Sequence, residues 1–204
     1  MKHLPLKSPA VFAIIFANSI PLIGGVFFGW SLFEVVFIYW AESAVIGFYS
    51  IFKLIITTKF AAFFNVPFFI VHYSGFMLAH LVFIFAILQP DIVSNGSFFP
   101  SFPTILNLVS GVGIALIGLL LSHGFSFLYN FIYKQEYKKI KGNEQMFLPY
   151  ARIVIMHLAI VFGGGISLIF GEPQTLLVLL IVLKTFVDIL AHSKIHRKIQ
   201  GVIV

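Results

Sequence analysis

Six long apolar segments constrain the fold of this chain more than any other feature of its sequence. Crossing the hydrocarbon core of a bilayer as an α-helix takes about 20 mostly apolar residues. A backbone in lipid must also satisfy its own hydrogen bonds, which a helix does. We therefore predict an all-α integral membrane bundle of six transmembrane helices, in which residues 1–204 form a single domain. The predicted spans are residues 10–30, 31–56, 67–88, 104–133, 148–170 and 174–191.

The composition excludes a water-soluble domain and a disordered chain. Hydrophobic residues make up 60% of the chain and charged residues only 10%, whereas a soluble domain carries about 25% charge. The 26 phenylalanines exceed what one soluble core needs, and disordered chains are poor in aromatic residues. Cysteine is absent, which excludes disulfides, thiolate metal sites and cysteine nucleophiles.

The basic residues predict the orientation of the six spans. Lysine and arginine concentrate in loops that stay on the cytoplasmic side. Of the 13 basic residues, all except Lys184 flank the predicted spans on one side of the membrane. We predict a multi-pass protein of the cytoplasmic membrane with both termini cytoplasmic. The net charge of +6 is then an orientation signal, so the predicted partner is the lipid bilayer and not a nucleic acid.

Several ionisable residues fall inside the predicted spans. Such a group costs several kcal/mol in the membrane unless it is paired, so it is a candidate functional residue. Counted along each helix, these residues lie in the middle and the cytoplasmic half of five spans, which predicts one shared site. They are Glu42, His72, His80, His123, His157, Lys184 and Asp188, with His192 at the cytoplasmic end of the last span.

Helical spacing groups some of these residues. Lys184, Asp188 and His192 recur every four residues, so they share one helix face. Lys184 and Asp188 are placed to form an ion pair, and Asp188 and His192 to offer two metal ligands from one face. His72 and His80 lie about 80° apart around their helix, within one arc that could face the bundle interior.

Four stretches of sequence resemble an uncharacterised family of prokaryotic polytopic membrane proteins, catalogued as a domain of unknown function. They are Y-W-A-E-S-A-V-I-G-F at 39–48, F-F-I-V-H-Y-S-G-F-M-L-A-H at 68–80, M-H at 156–157 and L-K-T-F-V-D-I-L-A-H at 183–192. The resemblance covers nearly the whole chain and implies a small polytopic membrane protein, without an activity. The residues at its motif positions are Glu42, His72, His80, His157, Lys184, Asp188 and His192.

A weaker likeness is to seven-span intramembrane zinc hydrolases of the ceramidase and progestin-receptor type, which hold zinc with helix-borne histidines. The present chain has six predicted spans and a D-x3-H-x3-H ending instead of a paired-histidine ending. This second likeness is therefore an analogy.

The leading hypothesis from the residues is a metal site. Imidazoles together with a carboxylate suit zinc or another first-row transition metal. Glu42 is either a further ligand or the catalytic general base, and metal-bound water would attack a bond of a lipid-soluble substrate. The candidate ligands are His72, His80, His123, His157, Asp188 and His192.

Three other functions stay open. A chain of histidines and carboxylates also suits a proton- or ion-coupled transporter, with Lys184 and Asp188 as a titrating gate. Two histidines could ligate haem and make the protein an electron carrier. The residues favour haem less than a transition-metal ion. The polar residues could also only pack the bundle. Because the sequence has no zinc-protease, serine-hydrolase, phosphate-loop or dinucleotide motif, whether the protein is an enzyme stays open.

Overall fold

The computed structural model describes residues 31–93, 101–140, 142–170, 182 and 185. Within these residues the secondary structure is helical and contains no strand, which confirms the all-α prediction. The predicted spans 10–30 and 174–191 lie outside the described ranges. The α-helices are α1 Leu32–Thr58, α2 Ala62–Leu88, α3 Pro90–Val93, α4 Phe102–Ser126, α5 Gly142–Phe147 and α6 Tyr150–Phe170, joined by 3-10 turns at Lys59–Ala61 and Glu136–Lys138 and by a π-helix at Phe127–Tyr133.

The chain divides into two compact units. Val36–Val154 form one unit, and the other described residues belong to the second. The contacts below are described within one unit at a time. Whether residues 1–204 form a single domain stays a prediction.

A capping box starts α1. Ser31 Oγ accepts a hydrogen bond from the backbone N–H of Glu34 at 3.2 Å, and Glu34 Oε2 accepts one from the backbone N–H of Ser31 at 2.8 Å. The two residues thereby satisfy donors that have no partner within the helix. This local role accounts for a carboxylate near the end of an apolar segment.

Helices α1 and α2 form an antiparallel pair, the α1–α2 hairpin, which folds back at Lys59–Ala61. Trp40 Nε1 donates a hydrogen bond to the Met77 carbonyl oxygen at 2.8 Å, and the Tyr73 hydroxyl donates one to the Ser43 carbonyl oxygen at 2.8 Å. The Tyr73 ring lies directly over Gly47, where a Cβ would collide with it. Close packing of α1 against α2 therefore depends on a glycine.

The connection between α1 and α2 is much shorter than predicted. The sequence predicts spans ending at residue 56 and resuming at residue 67, yet α2 already begins at Ala62 and contains Pro67. A proline in the second turn of a helix removes one backbone hydrogen bond without ending the helix. Lys59 adopts a φ of 49°, and this left-handed residue reverses the chain direction.

Helix α4 packs on α1 and then widens. Ser101 caps its start by accepting from the Thr104 N–H. The Tyr49 hydroxyl donates to the Leu120 carbonyl oxygen at 3.0 Å and lies against Gly124. Beyond Ser126 the helix continues as the π-helix, a rare form with a wider turn that recurs at functional sites. The predicted span 104–133 is therefore continuously helical, first as an α-helix and then as a π-helix.

Two described stretches, Leu32–Leu88 and Ser110–Tyr133, are long and apolar enough to cross a membrane by length and composition. The first contains both arms of the α1–α2 hairpin. Only 28% of its most apolar window is buried, and only 6% of that of the second stretch. These helices therefore leave a large apolar surface uncovered by the protein.

The short helix α5 leads to α6. Gly142 lies against Thr58, at the turn end of the hairpin, and Pro149 is buried. The Tyr150 ring then packs among Phe69, Tyr73 and Phe76 of α2. The first turn of α6 is thereby brought between helices of the Val36–Val154 unit.

Candidate functional site

Three ionisable side chains from three helices meet in the Val36–Val154 unit, and we call them the Glu42 centre. Glu42 Oε1 lies 2.8 Å from Nη1 of Arg152 and 3.8 Å from Nε2 of His123. The Glu42 side chain is 14% exposed, compared with 28% for His123 and 29% for Arg152. The centre therefore combines one close ion pair with an imidazole just beyond hydrogen-bond distance.

The packing of α1 on α4 explains why Glu42 meets His123. Glu42, Tyr49 and Lys53 share one face of α1, because they are seven and four residues apart. Tyr49 on this face contacts α4 at Leu120 and Gly124. The face that carries Glu42 is thus the face against α4.

Arg152 is the member that the sequence reasoning did not select. It was interpreted as a basic residue that flanks a span and reports orientation. Its position inside the predicted span 148–170, together with the need of a carboxylate at membrane depth for a partner, is the signal that could have identified it. The guanidinium is always charged and its N–H groups match a carboxylate, so Arg152 supplies a fixed positive charge beside Glu42.

A second polar contact lies on the other arm of the hairpin. His72 Nδ1 and the Tyr150 hydroxyl are 2.8 Å apart. The imidazole stacks on the Phe68 ring, with the two planes 15° apart, and meets the Phe76 ring edge-on. His72 is exposed. This His72–Tyr150 pair is therefore a hydrogen bond between an imidazole and a phenol inside an aromatic cluster. It is separate from the Glu42–Arg152 ion pair.

His80 has a backbone partner. Its Nδ1 lies 2.7 Å from the Phe76 carbonyl oxygen, one helical turn earlier, and the residue is only 2% exposed. Because a carbonyl oxygen accepts hydrogen bonds, Nδ1 carries the proton. This contact fixes the ring orientation and directs Nδ1 to its own helix.

The predicted metal ligands that the structure describes therefore do not share one site, because His72, His80 and His123 each contact a different residue. Within 31–93, 101–140 and 142–170, no group of three or more His, Asp or Glu residues could hold a metal ion. His72, His80 and His123 contact Tyr150, Phe76 and Glu42 respectively. His157 is exposed and belongs to the second compact unit. Lys184, Asp188 and His192 lie outside the described residues, so the six-ligand site and the Lys184–Asp188 ion pair stay predictions.

The fold and the Glu42 centre define an all-helical protein with apolar helices around an internal ion pair. The chain matches the family of unknown function DUF6498 over residues 1–202, and it belongs to that family. This finding confirms the resemblance to an uncharacterised domain family. No curated protein and no solved structure matches the chain.

Proposed function

We propose that the protein is a multi-pass protein of the cytoplasmic membrane with six spans and both termini cytoplasmic. The low burial of the two apolar stretches supports this placement, because such surface is stable against lipid. The charge distribution of the Val36–Val154 unit supports the orientation. Lys53, Lys59 and the 134–139 loop lie toward the turn end of the α1–α2 hairpin, whereas Asp91 follows the other end.

We further propose that the Glu42 centre is the working site of a proton- or ion-coupled transporter. The observation that carries this proposal is the 2.8 Å ion pair between Glu42 and Arg152, with His123 at 3.8 Å, between apolar helices. Ionisable groups in membrane helices pair with one another and mark ion pathways and proton relays. Three such groups in contact strengthen this interpretation.

The charges of the centre supply a mechanism for coupling. Glu42 can take up a proton and become neutral, but Arg152 keeps its charge. Protonation of Glu42 therefore removes a negative charge from beside the guanidinium in an apolar setting, which is unfavourable unless another anion replaces the carboxylate or the helices move. His123, next to the same carboxylate oxygen, is placed to pass a proton to Glu42 or to receive one. A proton transfer at this site is thus linked to a second event.

Proton flux into liposomes tests the transport proposal. The purified full chain is reconstituted with a pH-sensitive dye inside, and a membrane potential is imposed. We expect flux above that of protein-free liposomes and at least a tenfold loss in Glu42→Gln and His123→Gln, since each removes a proton-binding group. The matched control is His72→Gln, which removes an imidazole outside the centre. Unchanged flux in both centre variants, or no flux in the unaltered chain, contradicts the proposal.

The second candidate is the metal site predicted from the sequence. His123 Nε2 and Glu42 Oε1 are 3.8 Å apart, and a tetrahedral zinc ion with bonds of about 2.0–2.1 Å needs its ligand atoms about 3.4 Å apart. A small movement would suffice. Arg152 opposes this function, because its charge on the same oxygen repels a cation. Bound metal would also require ligands from outside the Glu42 centre, and His157, Asp188 and His192 are the predicted ones.

Metal analysis of purified protein tests this second candidate. After expression with added zinc, a metal site predicts about one equivalent of zinc per chain and its loss in His123→Asn. A content below about 0.2 equivalents contradicts it. The absorbance spectrum of the same sample tests the haem alternative, because haem bound by two axial histidines shows a Soret band.

A further inference from the structure

Three lysine side chains lie against aromatic rings in the segment that follows α4. Lys134 Nζ lies 4.6 Å from the centre of the Tyr129 ring, and Lys138 Nζ lies 5.9 Å from that of Tyr137. Lys53 Nζ, from α1, lies 5.4 Å from the centre of the Phe131 ring. These distances are within the range of cation–π attraction, about 6 Å. We call these contacts the three lysine–ring pairs.

Two of the lysine–ring pairs are connected to each other, and the Lys134 pair lies in the same segment of the chain. The Phe131 and Tyr137 rings are 6.0 Å apart between centres, which joins the Lys53 pair to the Lys138 pair. The Tyr129 ring stacks on that of Tyr133, with the planes 14° apart. Tyr129, Phe131 and Tyr133 all lie on the π-helix, so this segment carries the rings that Lys53 and Lys134 contact and the ring that stacks on Tyr129.

This group lies at the turn end of the α1–α2 hairpin. Gly142, just beyond the segment, lies against Thr58. The same end exposes large aromatic side chains, with Phe60 98%, Phe63 78%, Phe64 75% and Tyr133 76% exposed. Aromatic rings interleaved with lysines are typical of the level at which lipid headgroups meet the hydrocarbon. The exposed rings therefore fit the interfacial region of a bilayer.

The local charge at this end is positive. Lys59, Lys134, Lys138 and Lys139 are exposed. The acidic groups in the surrounding segments are Glu136, which interacts electrostatically with Lys53, and Glu144, on α5. A ring fixes the position of an ammonium group without using its N–H donors, so Lys134 is already ordered for an anion, and Lys138, which donates one hydrogen bond to Gln135 Oε1 at 2.6 Å, keeps its other donors. Basic residues next to the membrane attract anionic lipids by about 1 kcal/mol each.

We propose that the lysine–ring pairs bind the phosphate of an anionic phospholipid headgroup, with Lys134 and Lys138 as its principal partners. The exposed phenylalanines of the same end then contact the upper part of the acyl chains. This proposal rests on the membrane placement proposed above and is independent of the chemistry at the Glu42 centre. It makes this end of the protein a lipid-specific site and not only a positively charged surface.

A lipid titration of the detergent-purified, delipidated full chain tests the proposal. Binding of phosphatidylglycerol and of zwitterionic phosphatidylcholine is followed by native mass spectrometry. We expect saturable retention of phosphatidylglycerol, with affinity at least tenfold above that for phosphatidylcholine. The variant Lys134→Gln with Lys138→Gln should weaken phosphatidylglycerol binding by more than about 25-fold, because it removes ordered charge-assisted hydrogen bonds in addition to the general attraction, which is about fivefold per lysine. The variant Lys134→Arg with Lys138→Arg should retain binding, since arginine keeps both the charge and the attraction to the ring.

The matched control removes the same charge from the same end. Lys59→Gln with Lys139→Gln deletes two lysines that have no ring contact among the described cation–ring pairs. Under the proposal this variant loses only the general attraction, which is at most about fivefold per lysine, and so it loses less affinity than Lys134→Gln with Lys138→Gln. Equal losses in the two double variants would mean diffuse attraction without a site and would overturn the proposal. So would equal retention of the two lipids by the unaltered chain.

Two further arms separate the possible sources of failure. Free glycerol phosphate at millimolar concentration should not displace phosphatidylglycerol; if it does, the site binds soluble phosphate and the assignment to lipid is wrong. Fractionation of cells expressing the full chain tests the membrane placement alone. Recovery of the protein without detergent would contradict both proposals, whereas a membrane-bound protein without lipid selectivity contradicts only this one.

Discussion

The two polar contacts of the Val36–Val154 unit that involve the start of α6 differ in kind. In the Glu42 centre, a carboxylate and a guanidinium lie 2.8 Å apart with low exposure of Glu42. In the His72–Tyr150 pair, an exposed imidazole and a phenol share one hydrogen bond among aromatic rings. In the first contact, separating the opposite charges costs much free energy. In the second contact, both groups can be neutral. We therefore assign the chemistry to the first and the positioning of α6 to the second.

The largest expected effect comes from removing one partner of the ion pair. Glu42→Gln leaves a permanent charge on Arg152, and we expect a loss of about 3 kcal/mol in stability. Arg152→Gln should cost less, because Glu42 can take up a proton. Thermal unfolding in detergent measures both, with a fall in midpoint of about 6–12 °C for Glu42→Gln.

The double variant Glu42→Gln with Arg152→Gln is the control for this prediction. Two amides leave no unpaired charge, so the double variant should be more stable than Glu42→Gln alone. If it is as unstable as the sum of the single variants, the two side chains do not act as a pair. The contrast with the His72–Tyr150 pair would then disappear.

Gly47→Ala tests the element that stands between the two contacts. The Tyr73 hydroxyl bonds to Ser43, next to Glu42, and the Tyr73 ring lies against Tyr150. A methyl group on residue 47 would push this ring aside, and we expect a loss of about 2 kcal/mol from overpacking. Gly75→Ala on α2 is the matched control, because a Cβ there meets no atom within 4 Å. Because alanine has a higher helix propensity than glycine, Gly75→Ala should leave the stability of the protein unchanged or raise it slightly. Equal losses of stability in both variants would refute the packing argument.

The smallest effect is expected at the His72–Tyr150 pair. Tyr150→Phe removes one hydrogen bond and should cost about 1 kcal/mol, while proton flux in liposomes stays unchanged. Tyr133→Phe is the control, since its side chain is 76% exposed and its loss should be within about 0.5 kcal/mol. A loss of flux in Tyr150→Phe would show that this pair takes part in the chemistry after all.

Much of the fold could be predicted from the sequence, because length and apolarity determine a membrane-type helix locally. The predicted spans 31–56, 104–133 and 148–170 coincide with α1, with α4 plus the π-helix, and with α6 to within a few residues. The predicted start of α2 is too late, because Pro67 is treated as the beginning of a span, whereas the helix begins at Ala62 and continues through Pro67. The π-helix left no recognisable pattern, because its widening depends on the backbone and not on a residue type.

The candidate site was predicted only in part. The sequence places both Glu42 and His123 in the middle or cytoplasmic half of their spans, and Oε1 of Glu42 lies 3.8 Å from Nε2 of His123. Helical periodicity says which face a residue occupies but not which helix packs against that face. Arg152 was missed for this reason: its partner is on α1, far away in the sequence. The same limit left His72 and His80 as possible members of one cluster, whereas the structure gives each its own partner.

The α1–α2 hairpin also has a consequence for the order in which the protein assembles. Its hydrogen bonds join residues 30 and 37 positions apart, and contacts over short separations form quickly. Arg152 reaches Glu42 only after α4 and the following segments have been made. The ion pair between Glu42 and Arg152 is therefore a late contact, which forms only when the first turn of α6 joins the closed hairpin.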